Sequence, residues 1–268
     1  MTRLKWDAPG TRYFETGVDR GVLYPKGANG VAWNGLTGVS ERPSGGSATP
    51  YYLDGIKYMN IAGPEDFGGT IEAYTYPREF AECDGSAIAA PGFVIGQQRR
   101  KPFGLAYRTR LGNDIDGESH GYKLHIIYDA LATPTEKGYS SLGENVDPIT
   151  LSWGFTTTPV MVGGVFLRTA HVTLDSTRVN STVMSLIEDR LYGTPSRAPT
   201  LLSPGELIIL LENAPFRLEI VPNLGGLAQL LQGGPGDLEG FPHEGLYLRP
   251  FGSRLKPSGT PGLYTLES

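Results

Sequence analysis

The stretch FGLAYRTRLGNDIDGESHGYKLHIIYDAL, from Phe103 to Leu131, decides the fold class of this 268-residue chain. Its two arms, Phe103 to Leu111 and Gly121 to Leu131, are separated by the polar, glycine-bearing connection Asn113 to His120. A period of two sets the faces of the first arm: Phe103, Leu105, Tyr107 and Thr109 oppose Ala106, Arg108 and Arg110. The pattern predicts one long antiparallel hairpin.

Short alternating segments on both sides of this hairpin predict further strands. Asp54-Gly55 lies between two such segments, and this dipeptide favours a two-residue turn in which both central residues have positive φ. About eight strands with one polar face each favour an antiparallel sandwich or barrel. The other predicted strands are Val18 to Tyr24, Val31 to Leu36, Thr70 to Tyr76, Ile149 to Phe155 and Ala170 to Asp175.

Helical signals are few. The 37 glycines and 21 prolines interrupt the chain too often for a helical bundle. Ser181 to Tyr192 has apolar residues at helical spacing and Gly193 as a stop signal, and Pro77 to Cys83 can form a single turn. Ser203 to Glu206 has the pattern of a capping box. The predicted fold class is mainly β, a sandwich or barrel with one flanking α-helix.

The composition shifts toward glycine and proline after about residue 196. We therefore expect a β domain over residues 1–195, with an N-terminal arm at 1–16. Residues 196–268 are expected to form a Gly/Pro-rich extension or small appended subdomain.

The charge balance disfavours a dedicated nucleic-acid binder, because 28 acidic residues outnumber 23 basic ones. The one cysteine, Cys83, excludes an intramolecular disulfide framework and a cysteine-based zinc site. No signal peptide or membrane-spanning stretch is recognisable. The sequence thus favours a protein that is made in the cytoplasm and does not enter a membrane.

Motifs for catalysis, metal binding or cofactor binding are missing from the sequence. Asp114 to Glu118 resembles the start of a calcium loop, but His125 stands where the bidentate glutamate would be required. We therefore predict no catalytic, metal or cofactor residues, and a binding or structural protein rather than an enzyme.

Several long, uninterrupted stretches of sequence between residues 6 and 211 resemble the major tail protein of long-tailed, non-contractile phages of actinobacteria. The longest of these stretches is the central hairpin region, from Gln97 to Lys137. The others are WDAPGTRYFETGVDRGVLYP, AWNGL, PYYLDGIKYMN, EAYTYPREFAECDG, SWGFTTTPV, TAHVTLDS and IEDRLYG.

This resemblance implies a tail-tube β-sandwich that assembles into hexameric rings, which stack into a tube for genome ejection. The implied partners are other copies of the chain, the tape-measure, tail-terminator and distal tail proteins, and double-stranded DNA in passage. The implied location is the virion tail.

Two sets of residues are candidates for roles in such a tube. The loop Ser40 to Pro50 and the arm 1–16 both look flexible enough to order on a neighbouring ring. The predicted ring-stacking residues are Trp6, Tyr13, Phe14, Arg42 and Ser44. The hairpin tip, with Asp114, Asp116 and Glu118, is the candidate lumen-facing site, since an acidic wall repels DNA. An equally weighted alternative places this tip against solvent or a neighbouring ring.

Two rival functions remain open. Fourteen tyrosines and three tryptophans also suit a carbohydrate-binding sandwich, such as a host-surface adhesin. Paired carboxylates of a glycosidase leave no sequence motif, because their pairing is spatial.

Overall fold

The computed structural model describes residues 4–139, 141, 148–164 and 166–212, and beyond these the backbone of six strands. Most of the described chain is strand. The first twelve strands are β1 (Tyr13–Pro25), β2 (Val31–Ala32), β3 (Leu36–Gly45), β4 (Ala48–Leu53), β5 (Ile56–Ala62), β6 (Glu65–Ala73), β7 (Ala87–Ala90), β8 (Phe93–Ile95), β9 (Phe103–Asn113), β10 (Gly117–Ala132), β11 (Leu151–Thr157) and β12 (His171–Asp175). A 3-10 helix spans Arg78–Glu82, and the α-helices are α1 (Ser181–Tyr192) and α2 (Pro204–Glu212).

One antiparallel sheet of eight strands organises this part of the chain. Its order is β2-β1-β9-β10-β11-β6-β3, and β12 pairs with β10 beside β11. The predicted long hairpin is confirmed as β9 and β10, in which Leu105 faces Ile127 and Ala106 faces Ile126. The mainly β, antiparallel fold class is confirmed as well.

The sheet curls until its two ends meet. The Tyr107 hydroxyl on β9 donates to Glu41 on β3 at 2.6 Å. A cluster of apolar side chains fills the inside of the curl. Trp33, Phe80 and Trp153 pack there in tilted and edge-on arrangements, with ring centroids 4.7 to 5.9 Å apart. The fold is therefore a partly closed barrel around one core.

Helix α1 covers the outer face of the central strands. Asn180 caps it by accepting from the Thr182 amide at 2.9 Å, and Gly193 follows its last residue with φ 79°. The Tyr24 hydroxyl on β1 donates to the Leu191 carbonyl at 2.8 Å. The helix buries Val183, Met184, Ile187 and Leu191. The helix and stop signal predicted for this segment are confirmed. Because the helix covers the outer face of the sheet, β9 is buried on both faces.

A partly buried ion-pair network lies at the edge of this helix–sheet contact. Arg108 on β9 donates to both carboxylate oxygens of Asp19 at 2.8 and 3.0 Å. The third guanidinium nitrogen lies 3.6 Å from Glu188 on α1. The hydrogen bonds from Arg108 hold the pKa of Asp19 below its usual range, although partial burial opposes them. The arginine thus connects β1, β9 and α1.

A second helix, α2, follows the flanking helix at the capping box identified in the sequence. Its capping box is formed: the Ser203 amide donates to Glu206 at 2.8 Å, and the Glu206 amide donates to the Ser203 hydroxyl at 3.3 Å. The hydrogen bonds from Ser203 lower the pKa of Glu206. The start signal was present in the sequence, but the apolar run after it is short.

The chain divides into two compact units, residues 1–207 and 208–268. Pro199 and Thr200 lie in the first unit and are bonded within it: the Gly30 amide donates to the Pro199 carbonyl, and the Thr200 amide donates to the Arg190 carbonyl. The boundary predicted after residue 195 stays a prediction. Strands of the second unit pair in two antiparallel sheets: β13 (Phe216–Ile220), β14 (Leu227–Gln229), β15 (Leu238–Phe241), β16 (Leu246–Pro250), β17 (Arg254–Pro257) and β18 (Leu263–Glu267).

Replacing Ile187 with Ala should test the packing of α1. Ile187 is 0% exposed, so the substitution leaves a cavity and should lower the free energy of unfolding by about 2–5 kcal/mol. Leu186→Ala is the control, because Leu186 is 42% exposed on the same helix and should cost about 0.5 kcal/mol. Denaturant unfolding measures both, and equal losses would contradict the buried position of Ile187.

Candidate self-assembly surface

Strands β3 and β6 continue beyond the sheet as a two-stranded ribbon. The ladder runs on through the Gly46 amide, which donates to the Pro64 carbonyl, and the Gly63 amide, which donates to the Ser47 carbonyl. Gly45 and Gly46 have φ values of 82° and 66°, so this bend requires residues that accept positive φ. Beyond the bend, β4 and β5 pair with each other and with no other strand that the structure describes. We call β4–β5, residues 48–62, the apolar ribbon.

The turn of the apolar ribbon is the one predicted from its sequence. Asp54 and Gly55 connect β4 to β5 with φ values of 49° and 78°. Positive φ at both central positions is the geometry of a type I′ turn, which matches the twist of the flanking strands. Leu53 pairs with Ile56 directly beside it. The Asp-Gly hairpin is confirmed.

Every residue of the apolar ribbon's two strands is exposed, although many are large and apolar. Seven such side chains are 44% to 73% exposed: Tyr51, Tyr52, Leu53, Ile56, Tyr58, Met59 and Ile61. With aromatic side chains burying ~150–250 Å² each, the seven leave roughly 700 Å² of apolar surface in water. A standard protein interface uses about 800 Å² per partner. Tyr51 lies opposite Met59 and Thr49 opposite Ile61, so part of this surface forms one continuous face.

A second apolar hairpin, β7–β8, was missed by the sequence reasoning. Among the described strands, these two also pair with each other alone, and Ile88, Phe93, Val94 and Ile95 are exposed. Gly92 has φ 78° in the turn. The Pro91-Gly92 dipeptide was the available signal, since this pair favours a tight turn.

The predicted flexible loop Ser40 to Pro50 is wrong, because it consists mainly of the end of β3 and the start of β4. Its residues pair with β6: Ser40 faces Thr70, Arg42 faces Gly68, and Ser44 faces Asp66. The segment needs no apolar face of its own, since its backbone hydrogen bonds to a neighbouring strand hold it. Arg42 and Ser44 are both exposed. Their role in ring stacking stays a prediction.

The predicted N-terminal arm, residues 1–16, is only partly an arm. Tyr13 and Phe14 belong to β1, where they pair with Asn113 and Gly112 of β9. The Phe14 ring lies directly over Gly112, where a Cβ atom would clash with it. Trp6 lies before the strand and is 77% exposed. Tyr13 and Phe14 are therefore held in the sheet, whereas Trp6 is exposed. The ring-stacking role predicted for these three residues stays a prediction.

Each carboxylate of the hairpin tip has a partner within the chain. Asp114 accepts from the Gly10 amide at 3.0 Å and the Arg12 amide at 3.4 Å. Glu118 lies 3.6 Å from a guanidinium nitrogen of Arg110. The tip is thus attached to the chain segment before β1, a contact that sequence spacing does not reveal.

Asp116 lies in the most connected part of the tip. One of its oxygens lies 3.0 Å from the His120 ring and accepts from the Asn113 side chain at 3.0 Å. The contact with His120 lowers the pKa of Asp116 most, and the contact with Asn113 lowers it further, so that this pKa lies below its usual range. The Tyr13 ring lies 5.3 Å from the His120 ring. The lumen-facing role predicted for the tip stays a prediction.

The described part of the chain gives little support for a reactive thiol, a metal site or a membrane-spanning helix. Cys83 is buried, and burial raises the pKa of its thiol to about 12, so a reactive thiolate is disfavoured at neutral pH. Within the described ranges, no group of three or more His, Cys, Asp or Glu side chains is placed to hold a metal ion. None of the described helices is long and apolar enough to span a membrane.

Comparison with known proteins gives distant structural likenesses only. No protein-family model and no curated protein matches the chain. A chain of the PVC sheath–tube complex, from an extracellular contractile injection system in its extended state, aligns at 12% identity and a TM-score of 0.32 over 64% of this chain and 94% of its own. The tube-terminating cap of the anti-feeding prophage (AFP) aligns at 10% identity and a TM-score of 0.33 over 65% and 95%. At these scores the likeness carries no argument, and the proposals below rest on other grounds.

Replacing Asp114 with Ala should release the segment before β1 without unfolding the sheet. The Gly10 and Arg12 amides lose their acceptor, so their hydrogen exchange should quicken by several-fold to about tenfold. Hydrogen-exchange mass spectrometry of residues 4–14 measures the change. Glu118→Gln is the control, because Glu118 lies on the same tip and pairs with Arg110 instead. Equal exchange in both variants and the parent would contradict the attachment.

Proposed function

We propose that the chain is the tail-tube subunit of a long-tailed, non-contractile phage of actinobacteria. In this proposal six copies form a ring, rings stack into a tube, and the genome leaves through it. The tape-measure, tail-terminator and distal tail proteins are the further partners. The single observation that carries self-assembly is the apolar ribbon, since β4 and β5 find no third strand and no cover among the described residues.

Exposed apolar surface of this extent favours a protein partner. The largest apolar patch on a typical monomer is about 300–600 Å² and is often functional, and the ribbon's roughly 700 Å², counted over both of its faces, is of that order. Leaving such a surface in water costs free energy, because apolar area is stabilised by about 25 cal/mol per Å² on burial. A partner that every copy meets during assembly is another copy.

The edges of the eight-stranded sheet support the same proposal. Strand β3 ends the sheet on one side, and β2 on the other covers β1 only at Val22 and Leu23. The outer edge of β1 before Gly21 therefore has no strand partner among the described residues. Open edges invite pairing with other chains, and a ring closes them by symmetry. The sequence resemblance to phage major tail proteins over residues 6–211 supports the choice of a tail tube among ring-forming proteins.

Polar substitutions in the apolar ribbon should abolish assembly. Tyr52, Ile56 and Tyr58 are exposed and make no core contact, so changing all three to Ser should leave the melting temperature of the monomer unchanged. Negative-stain microscopy and sedimentation should show rings or tubes for the parent chain and monomers for the variant. Tyr74→Ser is the matched control, since Tyr74 is similarly exposed just beyond β6, away from the ribbon.

Two outcomes would contradict this proposal. Rings of normal size from the triple variant would show that the ribbon is not the assembly surface. A parent chain that stays a small, finite species and binds polysaccharide would favour the carbohydrate-binding alternative.

The tip of β9–β10 is proposed to line the lumen, where its acidic residues discourage DNA from adhering. Glu118 tests this best, since Asp114 and Asp116 also hold the local structure. In assembled tails, Glu118→Lys should slow DNA ejection, and added salt should ease the defect because the Debye length near ~8 Å shortens. Glu118→Gln is the control for loss of charge alone. Failure to assemble would place the tip in an interface, and unchanged ejection would contradict the lumen position.

A further inference from the structure

An apolar hollow lies beside β1, at the point where the free outer edge of that strand ends. Its apolar lining comes from Val22 on β1, Ala32 on β2, the ring of Tyr192 at the end of α1, and Pro199. The Tyr192 hydroxyl is itself buried, so the tyrosine contributes its ring to the lining. The volume is about 350 Å³, near the lower limit of ~300 Å³ for ligand sites. This cavity, which we call the Tyr192 hollow, has room for one aromatic side chain.

Arg20 is the one charged residue among those that line the Tyr192 hollow. Arg20 and Gly21 together stand opposite Tyr107 of β9, which makes a β-bulge, and Arg20 has a φ of 49°. Bulges commonly redirect a side chain, and positive φ in a residue other than glycine is strained. The guanidinium carbon lies 5.7 Å from the centre of the Tyr192 ring. The bulge thus places a cation at the mouth of an apolar cavity.

The charge of Arg20 is only weakly paired within its own chain. Its nearest carboxylate, that of Glu188, lies 3.9 Å away and also lies 3.6 Å from Arg108. The Arg20 side chain stays 53% exposed. A guanidinium attracts the face of an aromatic ring, and tryptophan binds it best. The Tyr192 hollow is therefore suited to a tryptophan that is followed or preceded by a carboxylate.

Trp6 and Asp7 have these properties. Trp6 is the most exposed aromatic side chain in the described ranges. Asp7 is exposed as well, and its carboxylate forms no ion pair with the residues that the structure describes. Lys5, on the other side of Trp6, would repel Arg20. Attraction therefore requires Asp7 to face Arg20, which fixes the direction in which the segment approaches the hollow.

Trp6 does not occupy the hollow of its own chain. The Gly10 and Arg12 amides donate to Asp114, so the segment that carries Trp6 is attached at the hairpin tip. Arg20 lies eight residues beyond Arg12 along β1, which is about 26 Å at ~3.3 Å per residue. The tryptophan and the hollow are thus two separate surfaces at different levels of one strand.

We propose that Trp6 of one copy docks in the Tyr192 hollow of a second copy, with its ring against Arg20 and Asp7 beside the guanidinium. The two surfaces differ, so the contact is heterologous, and a contact of this kind repeats into rings or filaments. The hollow also continues the free edge of β1, which is part of the proposed assembly surface. The identity of the partner as a second copy rests on the proposed function.

Cross-linking between two single-cysteine chains tests this contact. Lys5→Cys keeps Trp6 in place, Ala32→Cys lies in the lining of the hollow, and both positions are exposed. Since Cys83 is buried, a short bismaleimide should join the mixed chains into dimers on a denaturing gel. Adding Trp6→Ala to the Lys5→Cys chain should abolish the dimers.

Three results of the cross-linking would overturn the proposal. The first is no dimer from the mixed chains, and the second is a dimer that survives Trp6→Ala. The third is a dimer of Ala32→Cys with Tyr52→Cys in place of Lys5→Cys, which would assign the hollow to the apolar ribbon. Tyr74→Cys is the control for random encounter, because Tyr74 is exposed away from both surfaces.

Tryptophan fluorescence of the parent chain gives a second measurement. Trp33 and Trp153 are buried, so Trp6 is the tryptophan whose surroundings change on assembly. Its emission should shift to shorter wavelength as tubes form, and Trp6→Phe should show no shift. Trp6→Ala should raise the concentration needed for assembly by about 30-fold, as expected for a tryptophan that anchors an interface. Ala32→Trp fills the hollow from within, and its effect should not add to that of Trp6→Ala.

The docking of Trp6 and the proposed function fail separately. Tubes in which the emission does not shift and no cross-link forms would overturn the docking alone. Cross-linked dimers from a chain that forms no rings would overturn the proposed function alone. A chain that stays monomeric and gives no cross-link would overturn both.

Discussion

The pairing of β9 with β10, buried on both faces, is the constraint on which the remaining structure depends. On the inner face, Leu105 and Ile127 meet the core of the barrel, and on the outer face Ala106 and Ile126 lie on the side that α1 covers. A strand pair with two apolar faces must be covered twice, which requires both the curl of the sheet and the helix. The remaining strands add to its two edges: β1 pairs with β9, while β11 and β12 pair with β10.

The apolar residues are divided between two purposes. Those of the central strands and α1 are withdrawn from water within the unit 1–207 itself. Those of the apolar ribbon stay outside, held by a ladder that continues from β3 and β6 and by a turn that suits its twist. An isolated two-stranded hairpin is at best marginally stable in water. Its continuity with the sheet therefore keeps it formed before any partner arrives, and a preformed surface avoids the ordering cost that a flexible loop would incur on binding.

Local chemistry explains which parts of the fold could be predicted from the sequence. The Asp54-Gly55 turn and the start and end of α1 depend on residues within a few positions of each other, so their signals are complete in the sequence. The segment from Ser40 to Pro50 depends on pairing with β6, and its Ser, Gly and Pro content suggested a loop. The partners of Asp114 lie about one hundred positions away, at Gly10 and Arg12. Non-local contacts of this kind leave no spacing pattern.

An exposed apolar hairpin creates a risk of open-ended strand pairing, and the apolar ribbon carries three features that oppose it. Pro50, opposite Asn60, has no amide to donate along the edge of β4. A register shift between Tyr51 and Tyr52 bends the ladder, and Lys57 places a charge beside the turn. These devices blunt the edges of the ribbon but leave its faces apolar. Recognition through faces fixes the angle between partners by side-chain packing, whereas edge-to-edge pairing can continue indefinitely in one direction. The ribbon is therefore suited to contact through its faces, and its blunted edges oppose open-ended strand addition along β4 and β5.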